Sequence, residues 1–340
     1  MPRVLGLDIG GSKTHAILAG NAVNDNADDG GQAVVECTGG SANITSVGEP
    51  AASAALDGLA RRLGAGNPDG HGIHTVCAGA AGADTPESRD RLAAMLSRRF
   101  PEARIQVVHD TRIILAAESL DAGTVLISGT GSAAWAQSAD GREARAGGWG
   151  YLLGDEGSGY AVTRSAVRNV LTEHDAGKPP GPLSVRILKR TGAAEPLALL
   201  DLFYRNPERR YWAGLAGTVF DVAAMGDVAA NAIAEDAARQ LAALAVAVNE
   251  RLGGLPGSDG HGSGAPGSAG PPVLLAGGML VNQPLLAGRV RAFLEGRGLT
   301  DVRVLDRAPA WGAVKLAQEL ANSTGAGMPH RSNHSIHSPA

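Results

Sequence analysis

Cysteine is scarce in this sequence of 340 residues, which contains only Cys37 and Cys77. Two thiols exclude a disulfide framework and any zinc or iron–sulfur site with four thiolate ligands from one chain. Long apolar runs are missing as well, since no stretch reaches the roughly 18 residues of a membrane-spanning helix without a glycine or a charge. The opening residues carry no long apolar segment, so we expect no secretion signal. These absences favour a cytoplasmic protein without membrane partners.

A large excess of one charge is also absent. Lysine and arginine number 30, aspartate and glutamate 34, and the formal net charge is -4. We therefore expect no diffuse attraction to nucleic acid or to an anionic membrane. The 44% of hydrophobic and 19% of charged residues suit a globular protein of about two domains.

Glycine, by contrast, is abundant at 48 residues, about twice its usual share. Part of it opens each half of the chain, where two apolar strands flank a glycine turn. Strands Arg3–Ile9 and Thr14–Ala19 enclose the first turn, and Thr124–Ser128 and Ala133–Gln137 enclose the second. This repeat indicates an internal duplication in an α/β protein.

The remaining pattern predicts helices and strands in both halves. The predicted elements are a strand at Ala33–Cys37, a helix at Ala51–Leu63, a strand at Ile73–Cys77, a helix from Thr85-Pro86, a strand at Ile105–His109, a helix through Glu118, a strand at Arg142–Ala146, a helical stretch from Gly159 to Leu252, strands at Val273–Ala276 and Val302–Leu305, and a helix at Ala310–Leu320.

We expect an N-terminal domain over residues 1–120 and a C-terminal domain with a helical insertion over 121–309. A closing helix over 310–322 is expected to pack near the domain junction. Residues 253–272 and 323–340 have too few apolar side chains to bury, which predicts a flexible loop and a disordered tail.

The first glycine turn has the chemistry of a phosphate site. Glycines let backbone N–H groups face phosphate oxygens, and neighbouring hydroxyls can donate further hydrogen bonds. Asp8 precedes the turn and could hold a hydrated Mg²⁺. A hairpin turn with glycine at positive φ explains the motif equally well by itself. The predicted phosphate contacts are Gly10, Gly11, Ser12, Lys13 and Thr14.

Two further glycine motifs extend this interpretation. The second turn, with Gly129, Thr130 and Gly131, repeats the first, so the pair favours a nucleotide held by its phosphates. A buried strand runs into Gly277-Gly278, where adenine could approach the backbone closely. An ordinary strand–helix turn is an equally good explanation of that glycine pair.

Asp110 ends an apolar strand, and two roles fit it. It could accept a proton from an attacking hydroxyl, since phosphoryl transfer depends chiefly on positioning and electrostatics. It could equally cap the helix that follows, and one residue could do both.

The segment Gly147–Ser158 is rich in glycine and poor in core-forming side chains. Such a loop suits a small polar ligand, with Trp149 as a flat face for sugar C–H groups and Asp155 as a hydroxyl acceptor. In the alternative, this is an ordinary loop in which Asp155 caps the helix after Ser158.

Together these motifs resemble the sugar kinase, Hsp70 and actin superfamily. Within it, they are similar to the N-acetylglucosamine kinases grouped with the BadF/BadG/BcrA/BcrD ATPases, over about residues 3–321. The segments that carry the resemblance are Asp8–Thr14, Ser41-Ala42-Asn43, Asp110, Leu126–Ser132, Gly147–Ser158, Ala276-Gly277-Gly278 and Ala310–Ala313.

The resemblance implies two RNase H-like (actin-like ATPase) domains with ATP and sugar in a cleft between them, Mg²⁺ as the metal and a homodimer. It implies an ATP-dependent amino-sugar kinase in which Asp110 is the base for the 6-hydroxyl of N-acetylglucosamine. The implied substrate-binding residues are Asn43, Asp110, Ser132, Gly148, Trp149, Gly150 and Asp155.

Two positions depart from the family pattern. Ala133 stands where the animal enzymes have asparagine, and Ala146 stands in place of a cysteine. Both changes affect the implied sugar site, so glucosamine and N-acetylmuramic acid remain alternative substrates.

Two other functions share this fold. An ATPase that activates a dehydratase needs paired thiolates on each subunit for a bridging iron–sulfur cluster, which Cys37 and Cys77 do not suggest. The other is a sugar-responsive regulator without turnover. Related repressors carry an N-terminal helix-turn-helix, which we do not expect here because the first predicted strand begins at Arg3.

Overall fold

The computed structural model describes residues 3–20, 33–64, 72–205, 208–255 and 270–323. Most of the predicted flexible loop, residues 256–269, and the predicted tail from residue 324 lie outside these ranges.

The elements up to residue 117 begin with three strands, which two helices follow, and then continue as strand, helix, strand and helix. They are β1 Arg3–Ile9, β2 Lys13–Ala19, β3 Ala33–Gly40, α1 Ile44–Val47, α2 Glu49–Arg62, β4 Ile73–Ala80, α3 Pro86–Ser97, β5 Arg104–His109 and α4 Asp110–Ala117.

The rest of the chain begins with strands, continues with helices and ends on a helix. The elements are β6 Gly123–Ser128, β7 Ser132–Gln137, β8 Glu143–Gly147, α5 Gly159–Asp175, α6 Pro182–Thr191, α7 Pro196–Arg205, α8 Arg209–Ala213, α9 Gly217–Ala224, α10 Val228–Leu252, β9 Val273–Ala276, α11 Gly278–Asn282, α12 Pro284–Glu295, β10 Val302–Val304 and α13 Pro309–Asn322.

The described residues form two compact units: those up to residue 117 together with those from residue 309 onward, and those within 118–308. Each unit contains a five-stranded sheet, ordered β3-β2-β1-β4-β5 in the first and β10-β9-β6-β7-β8 in the second. In both, the first three strands in sequence pair antiparallel and the remaining two add parallel to the first. The two sheets therefore share one topology, which confirms the α/β fold of two RNase H-like domains.

Both faces of the first sheet are covered. Strand β1 buries Leu5 and Leu7 on the side of α2 and α3, and Val4 on the side of α4 and α13. A strand buried on both faces is typical of the parallel part of such a sheet. Thr85 caps α3, because its side chain accepts a hydrogen bond from the Ser88 N–H.

Two glycines let the backbone of α13 contact the backbones of β1 and α4 directly. A Cβ at Gly6 of β1 would lie 2.5 Å from the Ala310 carbonyl oxygen, and a Cβ at Gly312 would lie 1.8 Å from that of Ile113. No side chain fits either position, so α13 packs directly on β1 and α4. This packing fixes α4, whose first residue is Asp110.

Helix α10 runs through the core of the second unit. Its apolar face buries Ala237, Leu241 and Val248, and alanines such as Ala234 and Ala245 widen that face. Within the described residues, no single helix is long and apolar enough to span a membrane. Residues 209–224 and 228–252 reach that length and hydropathy only together, as a pair bent by 119°.

Candidate active site

In the first unit, the candidate residues gather where its parallel strands end. The register pairs Asp8 of β1 with Gly79 of β4, and Ala80 of β4 with His109 of β5. The carboxyl ends of β1, β4 and β5 therefore meet at one edge, which is where ligands bind in open α/β sheets. Asp8 and Asp110 both lie at that edge.

Hydrogen bonds to neighbouring residues support the first glycine turn. The Gly10 N–H donates to the Lys13 carbonyl oxygen at 3.0 Å, and the Ser41 hydroxyl donates to the Gly10 carbonyl oxygen at 2.8 Å. Thr14 is fully buried, and its Oγ1 accepts the Ala42 N–H at 2.9 Å. Gly11, Ser12 and Lys13 are exposed on the turn. Thr14 thus supports the turn internally, while the others are open to a ligand.

Asn43 lies in the segment that holds this turn. It is 6% exposed, and its Oδ1 accepts the Ser46 N–H at 3.2 Å, which makes it the cap of α1. The structure therefore gives Asn43 a local structural role in addition to the predicted sugar contact.

Asp8 and Asp110 repel each other electrostatically. Burial, together with the negative charge of Asp110, raises the pKa of Asp8 to about 7, and Lys13 opposes this shift. Two carboxylates in one partly buried place favour a cation or a proton between them.

Asp110 has a partner that sequence reasoning missed. Its Oδ1 lies 3.0 Å from Nδ1 of His109, whose Nε2 lies 2.9 Å from Oδ1 of Asp84. The sequence contained a signal for this contact: if β4 and β5 pair in parallel, the loop after β4 must pass the end of β5. Asp110 is also the first residue of α4, where a negative charge is favourable beside the positive end of the helix dipole.

In the second unit, the glycine turn and the glycine-rich loop are bonded together. The Ser132 N–H donates to Oδ1 of Asp155 at 3.1 Å, and the Ser132 hydroxyl donates to the Glu156 carbonyl oxygen at 2.7 Å. The Gly159 N–H donates to the Gly129 carbonyl oxygen at 2.8 Å. Gly131 lies so close that a Cβ would be 2.9 Å from Oδ2 of Asp155. These motifs therefore form one cluster.

Asp155 sits in a strained and buried position. It is 6% exposed and has φ of 64°, which is rare outside glycine. Burial raises its pKa, against the opposing effects of the Ser132 N–H and the positive charge of Arg209. The alternative that Asp155 caps α5 is wrong, because Oγ of Ser158 accepts the Ala161 N–H there. Asp155 instead closes the loop onto the turn.

The middle of the loop is open to solvent. Trp149 is 67% exposed, with the guanidinium of Arg145 5.8 Å from its ring centre. Gly148 and Gly150 on either side have φ of 70° and 83°. A Cβ at Gly148 would lie 2.6 Å from Nη2 of Arg145 and 3.3 Å from Cβ of Ala133, so Ala133 packs closely against this part of the loop.

In the pair Gly277-Gly278, the first glycine is required by the protein's own packing. Gly277 has φ of 87°, and a Cβ there would lie 2.4 Å from the Ser128 carbonyl oxygen. The close approach is thus made by the protein's own strand. Around Gly278 the nearest atom to a Cβ would be 3.7 Å away, on Asn282, which leaves space for a ligand.

The two cysteines lie on different strands of the first sheet. Cys77 is fully buried in β4, where burial raises its pKa to about 12, and Cys37 lies half-buried on β3. Across the described part of the chain, no three His, Cys, Asp or Glu side chains gather to hold a metal.

Known proteins are similar to this chain in sequence and in fold. It is 31% identical over 256 residues to the N-acetylmuramic acid/N-acetylglucosamine kinase of Clostridium acetobutylicum, covering 74% of this chain and 81% of that protein. It is 28% identical over 263 residues to the N-acetyl-D-glucosamine kinase of Dictyostelium discoideum, covering 73% of this chain and 80% of that protein.

Among solved structures, a proposed N-acetylglucosamine kinase of Porphyromonas gingivalis superposes with a TM-score of 0.70 at 20% identity. The superposition covers 94% of this chain and 99% of that chain, and it shows a common fold. The family model described as BadF/BadG/BcrA/BcrD ATPase family matches residues 5–315. The chain therefore belongs to the BadF/BadG/BcrA/BcrD ATPase family.

Proposed function

We propose that this protein is an ATP-dependent amino-sugar kinase that phosphorylates the 6-hydroxyl of N-acetylglucosamine. The observation that carries the proposal is the pair of carboxylates, Asp8 and Asp110, at the end of the parallel strands beside the exposed Gly10–Lys13 turn. Asp8 can bind the metal ion, and Asp110 can accept the proton of the acceptor hydroxyl. The two kinase relatives support the reaction class.

In this mechanism Asp110 accepts the proton of the sugar hydroxyl while the oxygen of that hydroxyl forms a bond to the γ-phosphorus of ATP. The bond from that phosphorus to the bridging oxygen breaks, and ADP leaves. A carboxylate suffices as base because orientation and electrostatic stabilisation supply most of the catalysis. Asp155 and Trp149 would orient the sugar, with Gly148, Gly150, Ser132 and Asn43 as the further proposed contacts.

The residues present fit ATP and Mg²⁺. The backbone at Gly11 and Ser12 of the first turn and at Thr130 of the second would hold the phosphates, because the Gly10 and Gly129 N–H groups already donate to carbonyl oxygens within the turns. The space at Gly278 would admit adenine. Magnesium is usually held by one or two carboxylates, phosphates and water, so a single carboxylate such as Asp8 suffices. The raised pKa of Asp8 agrees with a site that gains from a nearby cation. When bound, the ion would neutralise charge on the phosphates.

N-Acetylmuramic acid is the second candidate substrate. It carries a carboxylate on its 3-substituent, and three arginines border the glycine-rich loop. Arg145 lies near Trp149, Arg164 donates to the Tyr151 carbonyl oxygen at 3.2 Å, and the Arg209 guanidinium lies 5.1 Å from the Tyr151 ring centre. These cations favour an anionic substituent over the charged amine of glucosamine.

An ADP-release assay tests the proposal with N-acetylglucosamine, N-acetylmuramic acid, glucosamine, N-acetylmannosamine and glucose. We expect turnover with the first two sugars, and a 6-phosphate product by NMR. Asp110→Asn should abolish turnover and nearly preserve sugar affinity. Substantial activity in that variant would show that the base is misassigned, and release with none of the sugars would favour a regulator or an activating ATPase.

A further inference from the structure

The imidazole of His109 lies between two carboxylates. Nε2 is 2.9 Å from Oδ1 of Asp84, in the loop between β4 and α3, and Nδ1 is 3.0 Å from Oδ1 of Asp110. Nδ1 also lies 2.7 Å from Oγ1 of Thr111. The His109 side chain is 18% exposed and that of Asp110 is 20% exposed, so water competes weakly for their contact.

This geometry has a preferred protonation state. Ionised carboxylates only accept hydrogen bonds, so a ring between two of them satisfies both only when both nitrogens carry a proton. In the neutral ring with its proton on Nε2, Nδ1 would accept the Thr111 N–H at 3.4 Å but would also turn its lone pair towards the Asp110 carboxylate. Burial lowers the pKa of His109, but the hydrogen bonds and charges of Asp110 and Asp84 outweigh it and raise that pKa above its ordinary value.

The other charged groups nearby lie on neighbouring elements. Arg89 of α3 donates from Nε to the carbonyl oxygen of Ala83, next to Asp84, at 2.7 Å. Asp8 of β1 interacts electrostatically with Asp110. The ring is thus the donor placed between Asp84 and Asp110.

Resting on Asp110 as the proposed base, we infer that His109 is a positioning residue for phosphoryl transfer. Its Nδ1–H holds one oxygen of the Asp110 carboxylate, which leaves the other oxygen to receive the proton of the sugar hydroxyl. Asp84 holds the ring at its far nitrogen. His109 itself contacts neither sugar nor phosphate in this scheme, so its loss should lower kcat and leave the KM for sugar nearly unchanged.

Two substitutions separate the two contacts of the ring. The amide nitrogen of asparagine reaches the place of Nδ1, whereas that of glutamine reaches the place of Nε2. His109→Asn should therefore keep the donor to Asp110, and His109→Gln should keep only the donor to Asp84. We expect kcat to fall about tenfold or more in His109→Gln and much less in His109→Asn. His74→Asn, an exposed histidine on β4, is the matched control and should keep the wild-type kcat.

The pH profile gives a readout that packing alone would not change. The raised pKa means that the ring loses a proton above its ordinary value near 6.5. As the pH rises through that pKa, Asp110 loses its donor, so kcat of the wild type should fall on the alkaline side. In His109→Asn this alkaline limb should disappear, because an amide does not titrate in that range.

An NMR titration of the His109 ring tests the contact without activity. We expect its pKa above 6.5 in the wild-type chain and lower in Asp110→Asn. Equal kcat in the asparagine and glutamine variants with an unchanged alkaline limb, or a ring that does not respond to Asp110→Asn, would overturn the inference. If Asp110→Asn is itself active, the proposed base fails; if it is inactive while both His109 variants match the wild type, only the positioning role fails.

Discussion

Oδ1 of Asp155 accepts the backbone N–H of Ser132 at 3.1 Å, although 23 residues separate them. This bond joins the glycine-rich loop to the second glycine turn. The register of β7 and β8 explains it: Ala133 pairs with Gly147, so the loop that leaves β8 starts beside the first residue of β7. The carboxylate is thereby fixed by the fold before any ligand arrives.

Asp155 should contribute to both stability and sugar binding, and two variants separate these effects. Asparagine keeps an acceptor for the Ser132 N–H and tolerates positive φ, whereas alanine does neither. We expect Asp155→Ala to lower the free energy of unfolding of the second unit by about 1–3 kcal/mol, and Asp155→Asn to lower it much less. Both should weaken sugar binding about tenfold or more, because a charged acceptor is lost. Urea unfolding and calorimetric titration with N-acetylglucosamine check this; wild-type sugar affinity in Asp155→Asn would contradict it.

Trp149 should report sugar binding by its fluorescence. It is 67% exposed, whereas Trp135 and Trp212 are 6% and 1% exposed. Sugar stacked on the ring would remove water from it, so the emission should shift to shorter wavelength on titration. In Trp149→Phe the shift should vanish and most of the affinity remain.

Trp149→Ala should lower sugar affinity, and the free energy of unfolding should change by about 0.5 kcal/mol or less, as at an exposed position. An emission shift that persists in Trp149→Phe would show that the loop does not contact the sugar through this ring.

The ionised form of Asp8 should lower the free energy of unfolding at and above neutral pH. Its folded pKa, about 7, lies above the ordinary 3.8, so the folded chain binds the proton more tightly. The stabilisation from that proton is complete below about pH 3.8 and is lost as the pH rises through about 7. Asp8→Asn resembles the protonated form, so it should stabilise the ligand-free chain at pH 8 by up to about 4 kcal/mol and have little effect at pH 4.

Thermal unfolding at both pH values, with a chelator present, checks the prediction for Asp8. Asp221→Asn removes an exposed carboxylate on α9 and should show no such pH dependence. The stabilised Asp8→Asn variant should also lose kinase activity. Equal melting temperatures of wild type and Asp8→Asn at pH 8 would refute the stability cost.

The glycine pair after β9 should divide into one structural and one binding position. At Gly277 a Cβ would collide with the Ser128 backbone at 2.4 Å, and φ is 87°, so Gly277→Ala should destabilise the second unit by about 1–3 kcal/mol. A Cβ at Gly278 would lie 3.7 Å from its nearest neighbour, Nδ2 of Asn282, so Gly278→Ala should keep the wild-type melting temperature. If adenine lies there, Gly278→Ala should weaken binding of an ATP analogue several-fold. Unchanged nucleotide affinity in Gly278→Ala would remove the adenine contact from the proposal.

Strands were predictable where a short apolar run is bounded by glycine or charge. The bounds expected for β1 and β9 agree with the structure at both ends. The helical stretch from Gly159 to Leu252 was predicted only as a whole. The described part of that stretch contains six helices, and signals such as the αL glycine at Gly192 and the N-cap Asp227 mark their ends.

The chain's own residues determined which chemistry is possible, because glycine turns, strand-end carboxylates and the loop composition are local properties. Tertiary structure alone decided which groups touch. The contact of His109 with Asp84 spans 25 residues and depends on β4 and β5 pairing in parallel, while Asp155 reaches Ser132 through the register of β7 and β8. Strand pairing and register follow from the packing of whole sheets, so no local pattern contains them.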